Sequence, residues 1–348
     1  MSQPLLTIAI PTYNRSSHLG MLLSVLASEL RGLGDRIHVL VLDNASPDDT
    51  PSVMQRFQPL IANLVHRRNE TNIGPDHNIR NAYRDPATPY VWVIGDDDAP
   101  LPGAIAALLD LLESSAPDMV YLPSLHTDDL AREYPGQPRV RSEWKLLSRE
   151  RFAQMMNVRF TFISGLVFRK ASASAQAIDN NLAHTDATNL VQLAWTYEVL
   201  KQGHRFVVAR QNMLMASSDN RGGYSVLQVF LVNHTRIVQT LLAGHPGLVR
   251  RILARTSSCF VPGLIWNVRT NKAGQFELPS VKEVRVPAAL SRLTSFRLLV
   301  MPIWRLPAAA AMPFFQLSRV VARLARAFDD VAVDICGKRV DPSRTSSR

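Results

Sequence analysis

The stretch VWVIGDDDAPLPG (residues 91–103) sets three adjacent carboxylates, Asp96, Asp97 and Asp98, directly behind an apolar run. Like charges this close repel, so each must stay hydrated or meet a cation. Clustered carboxylate oxygens suit Mg2+ or Mn2+, hard ions that bind through one or two protein carboxylates together with substrate phosphates. The plainer reading is a solvated acidic turn.

Three more polar stretches follow apolar runs. PTYNR (11–15) offers Tyr13 for stacking on a base and Arg15 for a phosphate near a helix start, or only a turn shaped by Pro11 and Asn14. DNASPDDT (43–50) offers Asp43 to ribose hydroxyls or a base N–H, or an ordinary strand–turn–helix connection capped by Ser46 through Thr50. RNETNIGPDHN (68–78) offers Gly74 for close backbone approach and Asn72 and Asn78 as amide partners, which are also turn residues.

The surrounding pattern supplies the elements that would position these stretches. Short apolar runs over 5–10, 37–42, 61–66, 90–94 and 119–122 read as strands. Between them, 16–31, 48–58, 75–83 and 102–114 read as helices, the last opened by Pro102. Strands alternating with helices predict an α/β fold with a mostly parallel sheet, and ligands then bind off the carboxyl ends of the strands. All four polar stretches stand at such ends. Beyond them, 126–150 reads as a loop, 161–168 (TFISGLVF) as a strand, 189–201 as a helix and 205–209 as a strand. MASSDNRGG (215–223) reads as a polar loop, the chain from Val226 as mostly helical, and the tail DPSRTSSR (341–348) as disordered.

The chain has 348 residues, 46% hydrophobic and 20% charged, the balance of a folded protein with a substantial core. Cys259 and Cys336 imply neither a metal pair nor a disulfide framework, and no secretory leader is read at the N-terminus, so a reducing, cytoplasmic setting is expected. The net charge is +10, unevenly spread: Asp is frequent up to residue 130, Arg dominates from Arg132, and acids nearly vanish between Arg285 and Arg326. That asymmetry suggests an anionic partner: a nucleic acid, a nucleotide sugar or an anionic membrane surface.

In the C-terminal third, Phe314, Leu317, Val320, Val321, Leu324, Phe328 and Val331 form a helical stripe, with Arg319, Arg323 and Arg326 opposite. Upstream, Pro302, Arg305, Pro307 and Pro313 interrupt an apolar stretch and argue against a membrane-spanning helix. The segment reads either as interfacial, lying on an anionic membrane, or as a packing helix with solvated arginines.

Taken as an ordered set, IAIPTYNR, VLVLDNASPDDT, RNETNIG and VWVIGDDDAPLPGAI resemble family 2 glycosyltransferases of the GT-A fold, closely over residues 5–115 and weakly over 161–170. The resemblance implies a GT-A catalytic domain over 1–225, with a nucleotide-sugar half (1–115) and an acceptor half (116–225). A helical, basic region over 226–340 would follow it. It implies that Pro11, Tyr13, Asn14, Arg15, Asp43 and Asn44 line the nucleotide pocket, framed by Asn72, Gly74 and Asn78. Asp96 and Asp97 would reach the sugar nucleotide, and Asp97 and Asp98 would hold a divalent cation, Mn2+ or Mg2+, on its diphosphate. The partners implied are a nucleotide-sugar donor and a saccharide or lipid-linked saccharide acceptor, with no nucleic acid. The enzyme would work in surface polysaccharide or lipopolysaccharide synthesis, peripheral at the inner face of the cell membrane.

Two departures stand out. Many relatives read Leu-Asp-x-Asp-Asp before the proline; aligned on Pro102, Gly95 falls where the first Asp would be, and either Asp96 takes over that role or the contact is lost. The GDDD form itself resembles the branch that adds deoxysugars to O-antigen units. Relatives also often carry Glu-Asp at a helix start in the acceptor half, where Val191 and Gln192 stand here; nearby lie His184 and Asp186. An inverting transferase needs a base on the acceptor hydroxyl. Asp186 is the first candidate for it and His184 the second, with a helix N-cap as the plain alternative for Asp186 and a loop histidine for His184.

Two rival readings fit less well. A nucleotidyltransferase shares the α/β site and Asp-bound Mg2+, but PTYNR lacks the glycine-rich loop such enzymes carry after the first strand. A nucleic-acid-binding protein fits the charge, but the arginines lie on amphipathic helices without an aromatic strand platform.

Overall fold

The computed structural model describes residues 3–134, 140, 143–218, 223–270 and 284–340. In chain order the first half runs β1 (Leu6–Thr12), α1 (Ser16–Glu29), β2 (Ile37–Asp43), α2 (Thr50–Phe57), β3 (Leu64–Arg68), α3 (Pro75–Arg84), β4 (Tyr90–Val93), β5 (Ala99–Pro100), α4 (Ala104–Ser115) and β6 (Met119–Tyr121). The second half continues β7 (Ser124–Thr127), α5 (Leu130–Glu133), β8 (Trp144–Leu147), α6 (Arg149–Met156), β9 (Leu166–Arg169), α7 (Ala175–Thr185), α8 (Leu193–Gln202), β10 (Phe206–Ala209) and β11 (Leu214–Ser217). Five helices follow, α9 (His234–Leu241), α10 (Pro246–Cys259), α11 (Val261–Arg269), α12 (Ala288–Ser291) and α13 (Met301–Arg305), then α14 (Ala308–Cys336) and β12 (Lys338–Val340).

Nine strands form one sheet in the order β12-β8-β10-β6-β9-β4-β1-β2-β3. The pairings make β8 and β9 run against the other seven, so the sheet is mixed but mostly parallel. The central strands carry apolar residues on both faces because helices cover both: Leu6, Ile8, Ile10 and Val39, for instance, belong to one buried cluster, and Ala9, Leu40 and Leu42 to the other. The second cluster continues without a break into the C-terminal helices, through Ile252, Ile265, Phe296 and Val333.

Register sets the active edge. Thr12 is the partner of Asp43, and Asp43 of Arg68, so three polar side chains stand in line where β1, β2 and β3 end. A second, three-stranded sheet, β5-β11-β7, grows directly from Asp98 and holds the acidic stretch against the main sheet.

Four sequence expectations need correction. The 126–150 segment is not merely a loop: β7 extends into it, and α5, β8 and the start of α6 lie within it. Trp144, buried in β8, is the apolar anchor that the surrounding charged residues mask in a pattern reading. The 161–168 strand begins only at Leu166; residues 157–165 form 3-10 turns, which carry Ser164 to Gly95. The polar loop at 215–223 opens as strand β11, whose Leu214, Met215 and Ala216 are buried; residues 219–222 lie outside the described residues. Finally β3 spans Leu64–Arg68, not 61–66, because Arg68 is fixed by Asp43 across the ladder. The expected disordered tail, 341–348, also lies outside the described residues.

Candidate active site

Two hydrogen-bonded groups share the edge. The first is the acidic stretch. Asp96 and Asp98 are buried and Asp97 is half-buried. Thr12 Oγ1 donates to Asp96 Oδ2 at 2.6 Å, and the Arg15 guanidinium reaches both neighbours, with Nε 3.2 Å from Asp96 Oδ1 and Nη2 2.7 Å from Asp97 Oδ2. The chain thus answers its three carboxylates with its own cation. Burial pushes Asp96 up to about 7, against the pull of Arg15 and Thr12. Burial and the Asp97 charge push Asp98 up as well. Asp98 Oδ1 accepts from the Ser217 N–H at 3.0 Å, which ties the cluster to β11.

Gly95 explains the departure noted in the sequence. A Cβ there would stand 2.9 Å from Asp97 Oδ1, 3.4 Å from Asp98 Oδ2 and 3.5 Å from Ser164 Oγ. Two carboxylate oxygens and a hydroxyl therefore converge on the space over Gly95, and an aspartate at that position would displace them. The Gly95 N–H donates to Ser164 Oγ at 2.8 Å. Ser164, fully buried, is a positioning residue that pattern reasoning did not single out; its only signal was its place in TFISGLVF.

The second group is an amide network behind β2 and β3. Asp43 is fully buried; Oδ1 accepts from the Ser46 N–H (2.7 Å) and Oδ2 from Arg68 Nη1 (2.9 Å). Asn44 Nδ2 donates to Asn72 Oδ1 (2.8 Å), while its Oδ1 accepts from Asn69 Nδ2 (2.9 Å) and the Ile73 N–H (3.0 Å). Asn78 Nδ2 donates to the Leu42 carbonyl at 3.0 Å. Gly74 caps α3 with φ +83° and ψ 160°, a conformation open essentially to glycine. Asn44 and Asn78 thus shape the edge through internal bonds; Asn69 and Arg68 join them, unforeseen because loop asparagines and a strand-end arginine carry no distinctive spacing. The two groups are joined: the Asn14 N–H donates to Ser46 Oγ (3.0 Å) and the Ser16 N–H to Asp48 Oδ2 (2.8 Å). Pro11 ends within β1, and Tyr13, 43% exposed, presents its ring at the rim.

Asp186 and His184 belong to another element. His184 is exposed on α7, and its carbonyl accepts from Arg236. Asp186 is not the N-cap of the following helix, which begins only at Leu193; it closes the C-terminus of α7. Its Oδ2 lies 3.8 Å from Arg80 Nη1, and its Oδ1 is buried without a hydrogen-bond partner. The loop behind it holds Ala187 and Asn189 at positive φ (57° and 59°), conformations that non-glycine residues keep only where the surroundings enforce them. The enforcing group is Asp76 at the start of α3, whose Oδ2 accepts from the Thr188 and Asn189 N–H groups at 3.0 Å each. Asn189 then lines a cavity of about 520 Å³, with Tyr121, His126, Arg159, Phe162 and, from α14, Arg326. Aromatic faces beside polar side chains at this size suit a saccharide.

The family model for glycosyl transferase family 2 matches residues 7–175, which contain both groups of the edge. The matched segment is just under half of the chain. The chain resembles the abequosyltransferase RfbV of Salmonella typhimurium (strain LT2), with 33% identity over 113 residues. That match covers 32% of this chain and 34% of the relative, so the likeness spans about a third of the curated protein's length. Among solved structures, S. aureus TarS 1-349 in complex with UDP aligns with a TM-score of 0.54 and 16% identity, over 95% of this chain and 91% of that one. The same protein in complex with UDP-GlcNAc gives 0.55 and 17%, over 94% and 89%. At these identities the alignment speaks for the fold alone, a GT-A arrangement extending well past the segment that the family model matches.

Proposed function

We propose that the chain is a metal-dependent, inverting glycosyltransferase. It would move a sugar, of the deoxysugar class, from a nucleotide donor to a saccharide or lipid-linked saccharide in surface polysaccharide or lipopolysaccharide synthesis. The observation that carries this reading is the convergence of Asp97 Oδ1, Asp98 Oδ2 and Ser164 Oγ over Gly95, at the strand edge that also presents Tyr13, Arg15 and the Asp43 network. The resemblance to an abequosyltransferase supports the sugar class, and the UDP and UDP-GlcNAc complexes of S. aureus TarS support a nucleotide-sugar donor on this fold.

The donor set suits a hard divalent cation. Among the described residues no group of three or more His, Cys, Asp or Glu side chains is arranged to hold an ion. Asp97 and Asp98 would therefore share Mn2+ or Mg2+ with the diphosphate and water. Bound there, the ion offsets the charge that develops on the leaving diphosphate. Asp96, held by Thr12 and Arg15, keeps Asp97 in place, and Arg15 can turn from the carboxylates to a phosphate oxygen. Tyr13 would stack on the base, and Pro11, Asn14, Asn44, Asn72, Gly74 and Asn78 would form the walls of the nucleotide site.

On the acceptor side Asp186 takes the proton from the attacking hydroxyl; the acceptor oxygen bonds the anomeric carbon as the bond to the diphosphate breaks. His184 is the alternative base. A lipid-linked acceptor would hold the enzyme in peripheral contact with the inner face of the cell membrane, its saccharide entering the cavity beside Asn189. Incubating purified protein with UDP-, GDP-, CDP- and dTDP-sugars plus Mn2+ tests the reading: one donor should be hydrolysed slowly, and hydrolysis of none would contradict it.

A further inference from the structure

The cavity beside Asn189 is more cationic than a neutral saccharide requires. Arg159, in the 3-10 turns after α6, Arg255 of α10 and Arg326 of α14 all line it, and Asp329 is the one acid among its lining residues. Asp329 already serves Arg255, whose Nη2 donates to its Oδ2. Arg159 and Arg326 have no carboxylate partner among the described residues. Each donates to a backbone carbonyl about one turn earlier, Arg159 Nη1 to Met155 (2.7 Å) and Arg326 Nε to Ala322 (3.2 Å). A guanidinium carries five N–H donors, so most of both forks stays open. Two un-neutralised guanidinia on one concave surface focus a positive potential that an anion would offset.

The C-terminal helix makes this possible. α14 turns small side chains to the protein, with Ala311, Ser318, Ala322 and Ala332 buried, while Leu317, Val320, Leu324, Phe328 and Val331 stay exposed. Small residues let the helix pack closely, and Arg326 and Asp329 then reach the cavity. Both lie well beyond residue 175, where the family model ends. The rest of the lining suits a sugar ring. Phe230 lies against Tyr224 and Phe260, with ring centroids 6.4 and 5.5 Å apart. Phe162 stands two positions before Ser164, which bonds Gly95, and Asn189 is held by Asp76. These two residues set the cavity between the acidic stretch and the loop that follows Asp186.

We propose that the acceptor saccharide carries its own negative charge, a phosphate or a carboxylate, and that Arg159 and Arg326 bind that group. Guanidinium forks match both oxyanions. Asp329 Oδ1, buried with no hydrogen-bond partner, is left to accept from a neighbouring hydroxyl. The proposal rests on the reading of this cavity as the acceptor site and narrows it to anionic saccharides.

The test is ligand-observed NMR titration of the full chain, in chelator, with methyl glucoside, glucuronate and glucose 6-phosphate, beside calorimetry of the nucleotide-sugar panel in Mn2+. One charged probe should bind at least about tenfold tighter than methyl glucoside, and which one does so tells phosphate from carboxylate. Arg159→Gln and Arg326→Gln should each weaken that probe about tenfold and leave donor binding within about twofold. Arg326 is exposed, so its variant should fold as wild type does. No preference for either charged probe, or a preference that neither substitution reduces, overturns the proposal. So does a substitution that weakens the donor as much as the probe, which would assign the arginines to the donor's diphosphate. Charged probes that bind through the two arginines while no nucleotide sugar binds would sink the transferase reading and keep the anion site.

Discussion

Arg15 Nη2 stands 2.7 Å from Asp97 Oδ2, and the same guanidinium reaches Asp96. A cation arriving with a sugar nucleotide must compete with it for carboxylate oxygens. Arg15→Met removes the competitor, so Mn2+ alone should bind tighter. It also removes a phosphate ligand, so a nucleotide sugar in Mn2+ should bind about tenfold weaker. Calorimetry with each ligand reads both effects; unchanged Mn2+ affinity would mean that Arg15 does not occupy the ion's place.

The raised carboxylates predict a pH signature. A carboxyl near 7 in the folded chain and near 3.8 in the unfolded one leaves the folded state holding the extra proton between those values. Stability therefore falls as pH rises from about 4 to 7. Its melting temperature should be lower at pH 8 than at pH 5.5, and millimolar Mn2+ should restore part of the loss at pH 8 but little at pH 5.5. Scanning calorimetry across that range checks it. A melting temperature that Mn2+ leaves alone at pH 8 would contradict the ion site.

Gly95→Ala should act through oxygens rather than through backbone strain. Its Cβ would press on Asp97 Oδ1 at 2.9 Å. Stability should drop by about 1–2 kcal/mol, and donor affinity in Mn2+ by roughly tenfold as the carboxylate is displaced. Urea melts and donor titrations separate the two; full donor affinity would mean that the oxygens over Gly95 hold nothing.

Asp186 presents a buried oxygen with no hydrogen-bond partner at the mouth of an enforced loop. Asp186→Ala should leave donor binding within about twofold and cut transfer by about a thousandfold, within the range for losing a general base. Single-turnover transfer assays decide it. Near-normal transfer would move the base to His184 or to His126, which lines the cavity.

The fold was legible where periodicity was clean. The alternation over the first 125 residues places β1, β2, β4 and β6 within about two residues of where the structure has them, because buried parallel strands are nearly continuous apolar runs. It failed where polar residues serve tertiary contacts. Arg68 reads as loop until Asp43 is seen across the ladder, and Ser164 reads as part of a strand until Gly95 is seen beside it. The acidic stretch was readable as a site, but not the guanidinium that neutralises it from 82 positions away. On α14 the periodic stripe was read correctly as helical, yet periodicity carries no information on which face meets the core. There the small residues do.

The central claim, a cation-assisted nucleotide-sugar site at Asp97 and Asp98, is tested most directly by calorimetric titration of nucleotide sugars into wild type and Asp97→Asn, with Mn2+ and with chelator. Asp97 is half-buried, so the variant should fold as wild type does. The account predicts that one donor binds wild type in Mn2+, and that chelator or the substitution weakens it at least about a hundredfold. Equal binding by Asp97→Asn, or binding indifferent to chelator, would contradict it.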